Sequence, residues 1–266
     1  MRTIVINQED IIHWQARIPN HVIALGFFDG LHKGHKRVIL EAKKVANEKQ
    51  LPLSVMSFFP HPKSVLSKGK VEVDYLMPLE EKQKQLELLG VDYFFVVEFT
   101  MEFASLSPQQ FIQDYVLGLG ATHVVCGYDY TYGKMGAGNA ASIAIDGMNK
   151  LDVSIVSKVD LCGEKISSTR IRELLSDGNV SFISELIGKP YTVEWCAQNG
   201  LLPYYTLPSA GQYEVTLTGK LVNEKAIISV INKTEIDYGS IKIPSNDRVT
   251  ITWHREIRNE KYKAIS

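Results

Sequence analysis

Two histidines three residues apart, His32 and His35, stand in the run Gly26-Phe27-Phe28-Asp29-Gly30-Leu31-His32-Lys33-Gly34-His35. Three-residue spacing puts both imidazoles on one side of a helix start. Gly30 and Gly34 let backbone approach a ligand closely. A helix N-terminus favours an anion, and two imidazoles there can donate hydrogen bonds to phosphate oxygens. The same spacing also fits a turn with two exposed histidines, or half of a metal site. Position after a strand favours phosphate. Late in the same region, Ile166-Ser167-Ser168-Thr169-Arg170-Ile171-Arg172 opens another helix. Its serines suit an N-cap and its arginines a solvated face. A first-turn arginine nevertheless opposes the helix dipole, which a bound polyphosphate would explain. The two motifs together point to phosphate chemistry more strongly than either alone.

Two further loops carry less specific signals. Phe58-Phe59-Pro60-His61-Pro62 combines stiffening prolines with flat apolar rings, and taken by itself reads first as a rigid loop with core aromatics. Gly127-Tyr128-Asp129-Tyr130-Thr131-Tyr132-Gly133 is a glycine-bounded strand-end loop. The following Gly133 to Asn139 lacks the Lys-Ser/Thr that a P-loop needs after its last glycine.

The elements that would position these loops alternate in type. Strands are expected at residues 21–28, 53–58, 93–99, 122–127 and 152–157, with helices near 34–48, 79–89 and 108–117. Strand and helix in alternation imply right-handed crossovers and an α/β fold with a parallel, Rossmann-like sheet of five strands. Ligands in such sheets gather outside the carboxyl ends of the strands. The loops after Phe28, Phe58 and Gly127 are therefore expected to share one crevice. After Gly188-Lys189-Pro190 helical periodicity gives way to alternating segments such as YEVTLTGKLV, AIISVI and VTITWH. These predict a small antiparallel barrel or sandwich. The expected domains are residues 1–187 and 188–266.

Composition narrows the function classes. The 266 residues carry a formal net charge of −1, so no chain-wide basic field favours nucleic acid or an anionic membrane. No apolar run approaches the roughly 20 residues that span a bilayer. The start, MRTIVINQEDIIHW, lacks the features of a secretory leader. Cys126, Cys162 and Cys196 are far apart, which argues against a disulfide framework and a structural zinc site. A cytoplasmic protein without a resident metal is expected. Its oligomeric state is not encoded in any motif.

H-x-G-H in this setting is similar to the signature of the nucleotidylyltransferase superfamily, shared with class I aminoacyl-tRNA synthetases. All four motifs, in this order, resemble the prokaryotic FAD synthetase family, whose usual member fuses a riboflavin kinase to an FMN adenylyltransferase. The resemblance covers about residues 22–189. It implies AMP transfer from ATP to FMN, giving FAD and pyrophosphate, with Mg²⁺ assisting. His32, His35 and Arg172 would be catalytic. Gly26, Phe27, Phe28, Asp29, Gly30 and Gly127 would lie on the ATP side, and Ser168, Thr169 and Arg172 would hold the polyphosphate. Asp129 would help place nucleotide or magnesium and also border the flavin. Phe59, His61 and Pro62 would lie along the flavin, with Tyr130 and Tyr132 in place of the family's usual phenylalanines.

The C-terminal part departs from that pattern. The entry Ile187-Gly188-Lys189-Pro190-Tyr191 is kept, but TVEWCAQNGLLPYYT replaces the kinase segment that ends in Pro-Thr-x-Asn. A degenerate kinase-like domain without riboflavin kinase activity is expected. Two other readings stay open from sequence: a nucleotidylyltransferase with another phosphate acceptor, and a flavin- or nucleotide-binding regulator that has lost catalysis.

Overall fold

The computed structural model describes residues 1–15, 17–243 and 247–257. Residues 258–266, the end of the expected second domain, lie outside that range. Two compact units emerge: Met1–Val73 with Glu80–Asp160, and Asp74–Leu79 with Leu161–Ser266.

The first unit is built on a parallel sheet. Its strands are β1 (Arg2–Ile6), β2 (His21–Leu25), β3 (Leu53–Phe59), β4 (Tyr93–Glu98), β5 (Ala121–Gly127) and β6 (Asp152–Val156). They lie in the order β1-β4-β3-β2-β5-β6, every pair parallel. The sheet thus has six strands where five were expected. The addition is β1, an edge strand formed by the β-branched run Thr3-Ile4-Val5-Ile6. One of its faces is buried and the other open, so the run is too short and too exposed to read as a central strand. The central β2 is buried at all five positions, as a strand covered on both faces must be. It ends at Leu25, three residues earlier than its composition predicts, because Phe28 takes a left-handed conformation with φ 54°.

Helix α1 (Lys33–Lys49) follows that turn and buries Val38, Ile39, Ala42, Val45 and Ala46. Their spacing makes one apolar stripe. Each fully buried aliphatic side chain stabilises by roughly 1.5–3 kcal/mol, so the stripe rather than the helix end holds α1 on the sheet. Helix α2 spans Leu79–Leu88. The helix expected near residues 108–117 begins with a Ser107–Gln110 capping box and widens into a π-helical segment, Phe111–Leu117. That segment places Phe111, Ile112, Tyr115 and Val116 in the core with Ile23, Leu25, Phe95 and Val124.

The second unit contains α3 (Ser168–Ser176), α4 (Val180–Ile187) and a barrel-like antiparallel sheet. Its strands are β7 (Thr192–Cys196), β8 (Gly200–Leu201), β9 (Gly211–Thr218), β10 (Asn223–Asn232), β11 (Glu235–Asp237) and β12 (Arg248–Glu256), ordered β8-β7-β12-β9-β10-β11. Val193, Trp195, Tyr213, Val215, Leu217, Val249, Ile251 and Trp253 alternate along β7, β9 and β12 to make its core. Antiparallel strands begin where helical periodicity ends, while α3 and α4 pack as part of the same compact unit.

Candidate active site

Strands β3, β2 and β5 are neighbours, and the three loops of interest leave their carboxyl ends. After β2 the chain makes a tight turn in which Phe28, Gly30 and Leu31 all have positive φ, at 54°, 76° and 39°. Two of these residues are not glycine, so the turn is held against its local preference. Phe28 is buried, with its ring edge-on to His35 at 5.3 Å. Asp29 and Gly30 are buried in the same turn.

His32 is the N-cap of α1. Its φ is −63° and ψ 170°, and its Nδ1 accepts from the His35 main-chain N–H at 3.2 Å. A neutral imidazole whose Nδ1 accepts must carry its proton on Nε2. The fold therefore sets His32 as an Nε2–H donor. The two rings stack with centroids 3.6 Å apart and planes at 20°. His32 is buried and His35 half-buried. Two imidazoles at the start of a 17-residue helix form a donor cluster where the helix already attracts negative charge.

The loop after β3 meets this turn directly. His61 caps the short helix Pro62–Leu66, its Nδ1 accepting from the Lys63 N–H at 3.0 Å. Its ring lies edge-on to Phe27 at 4.3 Å. Phe59 and Pro62 are half-buried on the same loop. Phe58 belongs to the core, against Phe99, Phe103 and Phe111.

Behind the turn lies a residue absent from the sequence-based set. Lys82 on α2 is only 4% exposed. Its Nζ donates to the Phe27 carbonyl at 2.9 Å and to Ser57 Oγ at 3.2 Å, and sits 4.9 Å from the Phe27 ring centroid. Ser57 Oγ donates to the same carbonyl at 2.7 Å. Burial pushes the Lys82 amine down to about 8, with the Asp29 carboxylate acting in the opposite direction. A sequence signal existed: Lys82 falls on the stripe set by Leu79 and Leu86, where an apolar residue belongs.

The loop after β5 divides its residues. Tyr128 and Asp129 are exposed. Tyr130 is half-buried, stacked on Tyr132 at 5.9 Å, and burial raises its phenol well above the usual range. Tyr132 sits in the core, against Phe111 at 5.5 Å. Its hydroxyl donates to Asp146 Oδ2 at 2.5 Å and lies 2.9 Å from Ser142 Oγ. The hydroxyl added at position 132 is thus used internally, and the ring surface is taken up by core neighbours rather than by the loop's open side.

The serine–arginine motif lies in the second unit. Ser167 is the N-cap of α3, accepting from the Arg170 N–H at 3.2 Å. Ser168 is half-buried and Thr169 exposed. Arg170 occupies the first turn, with Nε 3.0 Å from Glu164 and Nη1 3.2 Å from Glu173. Those carboxylates offset the dipole conflict that the sequence ascribed to a missing polyphosphate. Arg172, two residues further on, donates from Nε to the Asp74 carbonyl at 2.7 Å.

A parallel sheet whose second strand runs through a strained turn into H-x-G-H at a helix start defines a Rossmann-like α/β domain with a donor pair at the end of its central strand. A model of the FAD synthetase family matches residues 15–170, and the chain belongs to that family. It is 37% identical to the bifunctional riboflavin kinase/FMN adenylyltransferase of Bacillus subtilis, over 90% of this chain and 85% of that protein. The bifunctional enzyme of the same description from Listeria monocytogenes is 44% identical over 68% of this chain, a match spanning 58% of that protein's length. An FAD synthetase of Listeria monocytogenes is 30% identical over 82% of this chain and 87% of its own length. A solved structure described as a macrolide-efflux protein from Streptococcus pneumoniae superposes with TM-score 0.84 at 29% identity, covering 100% of this chain and 94% of that one. Among the described residues no helix is long and apolar enough to cross a membrane.

Proposed function

We propose that the protein is an FMN adenylyltransferase that joins the AMP of ATP to the phosphate of FMN, and that it does not phosphorylate riboflavin. The observation that carries the first part is the His32–His35 pair, with His32 fixed as an Nε2–H donor at the N-terminus of α1. In the reaction an FMN phosphate oxygen attacks the α-phosphorus of ATP in line, and the bond to the β-phosphate breaks to release pyrophosphate. The nucleophile is anionic at neutral pH, so no side chain need remove a proton. Catalysis then consists of positioning and of donors aimed where charge grows.

His32 and His35 donate to the phosphates, with Gly26 to Gly30 supplying close backbone approach. His61, Phe59 and Pro62 flank the flavin, with Tyr130 at its side and Tyr132 as the packed support beneath Tyr130. The roles of Gly127, Ser168, Thr169 and Arg172 at the nucleotide rest on the family motif alone. Magnesium enters as the MgATP substrate and neutralises charge on the departing pyrophosphate. Mg²⁺ needs only one or two protein carboxylates beside substrate phosphates. The exposed Asp129 carboxylate suits that demand, and no group of three or more potential ligands occurs among the described residues.

Loss of the kinase reaction is supported by the missing Pro-Thr-x-Asn segment between Tyr191 and Leu207. The chain also matches most of the length of a relative described as FAD synthetase. Chromatography of separate FMN-plus-MgATP and riboflavin-plus-MgATP reactions tests both parts. FAD and pyrophosphate from the first, and no FMN from the second, are expected. Binding of FMN and ATP without pyrophosphate release would instead identify a regulator.

A further inference from the structure

A buried ammonium is costly, and the turn after β2 is the place where Lys82 is used. Its two hydrogen bonds end on the Phe27 carbonyl and on Ser57 Oγ, and Ser57 itself bonds that carbonyl. One main-chain oxygen therefore receives two donors from two different elements, α2 and β3. The same ammonium faces the Phe27 ring, which also meets the His61 ring. Phe27 directly precedes the left-handed Phe28, and the turn then delivers His32 to the cap of α1.

We propose that Lys82, with Ser57, is a positioning residue for adenylyl transfer: the two clamp Phe27 by its carbonyl and ring, so that the strained turn carrying Asp29, His32 and His35 and the loop carrying His61 are held in one fixed arrangement. This rests on the FMN adenylyltransferase reading. Lys82→Met keeps the length of the side chain and removes its donors; because Asp29 stays buried beside it without the opposite charge, the exchange is also expected to cost stability. The clamp acts on groups that serve the transition state, and a displacement near 1 Å at such groups can cost on the order of 10²-fold in rate.

The test compares wild type, Lys82→Met and Ser57→Ala. For Lys82→Met we expect a lowered melting temperature that still leaves the protein folded at the assay temperature, kcat for FAD synthesis lowered roughly 10- to 100-fold, and KM for ATP within about threefold. Ser57→Ala, which removes one of the two donors, is expected to lower kcat several-fold in the same sense. It reads the same clamp should Lys82→Met not fold. Retention of kcat within about twofold in a folded variant, or a loss of activity fully accounted for by the fraction unfolded at the assay temperature, overturns the proposal. A second readout is independent of turnover: the ring ¹⁵N shifts of His32, which report its Nδ1-accepting tautomer. Displacement of the turn is expected to mix the tautomers in the variants, and unchanged shifts overturn the clamp. Wild-type protein that makes no FAD refutes the function reading by itself, and the clamp is then judged on these shifts.

Discussion

Replacing His32 by asparagine separates two jobs that one side chain performs. As N-cap, His32 accepts a hydrogen bond from the third residue of α1 through Nδ1. As proposed catalyst it donates from Nε2. Asparagine is among the best N-cap residues, and its Oδ1 can accept from the same N–H. It has no donor at the Nε2 position. A cap is worth about 1 kcal/mol, less than one of the buried aliphatics Val38, Ile39 or Val45 contributes at roughly 1.5–3 kcal/mol. The helix therefore stays docked in either variant. For His32→Asn the melting temperature should stay within about 2 °C of wild type, since 1 kcal/mol shifts it only about 2–4 °C in a protein of this size. Turnover should nevertheless fall about 10²–10³-fold, the usual cost of one lost oxyanion donor. His32→Ala should lose the same turnover and a further 1 kcal/mol or so of stability. Initial rates of FAD formation and thermal melts of the three proteins decide the matter. Turnover within about tenfold of wild type in His32→Asn, with His32→Ala impaired, would mean that His32 acts only as a cap and would refute the donor assignment.

Two other outcomes concern the frame of the site. His21 is fully buried, its Nδ1 donating to the Pro19 carbonyl at 2.9 Å, and burial lowers its pKa from 6.5 to about 4. Between those values the unfolded chain binds a proton that the folded chain does not, so stability should fall by about 3 kcal/mol in total as pH drops through that window. In urea titrations the wild-type-minus-His21→Asn difference should follow this trend, and a difference flat from pH 7 to 4 contradicts it. Gly133 has φ 72°, and a Cβ there would lie 2.7 Å from the Pro108 nitrogen. Gly133→Ala should cost about 1–3 kcal/mol through strain and overlap, seen as a lowered melting temperature. An unchanged melt would show that the loop relaxes freely.

The strands and helices that carry the site were legible because burial on both faces of a parallel sheet writes itself as apolar runs, as in β2, β3 and β4. Strand β1 escaped because an edge strand covers only one face. The H-x-G-H motif revealed its position at a helix start, but not that His32 would be the cap. That depends on Phe28 and Leu31 adopting positive φ, which neither residue type favours. Lys82 showed in the sequence only as a break in the apolar stripe of its helix, because the partners that account for its burial are 25 and 55 residues away. Likewise the spacing of Tyr130 and Tyr132 could not tell which ring faces inward. The contact of Tyr132 with Asp146 depends on where residues 140–146 return. Arg170 was legible as a charge at a helix start, whereas its carboxylate partners Glu164 and Glu173 became apparent only in the folded arrangement.

A main-chain N–H, that of His35, is the donor that selects the protonated nitrogen of His32. Every amino acid except proline offers the same N–H at position 35. Substitution of the His35 side chain would therefore keep the hydrogen bond that sets the His32 tautomer while removing the ring stacked on it at 3.6 Å. The ring stack and the intactness of the first helical turn are shared between the two imidazoles. Whatever frays that turn silences the donor without touching a single side chain of the site.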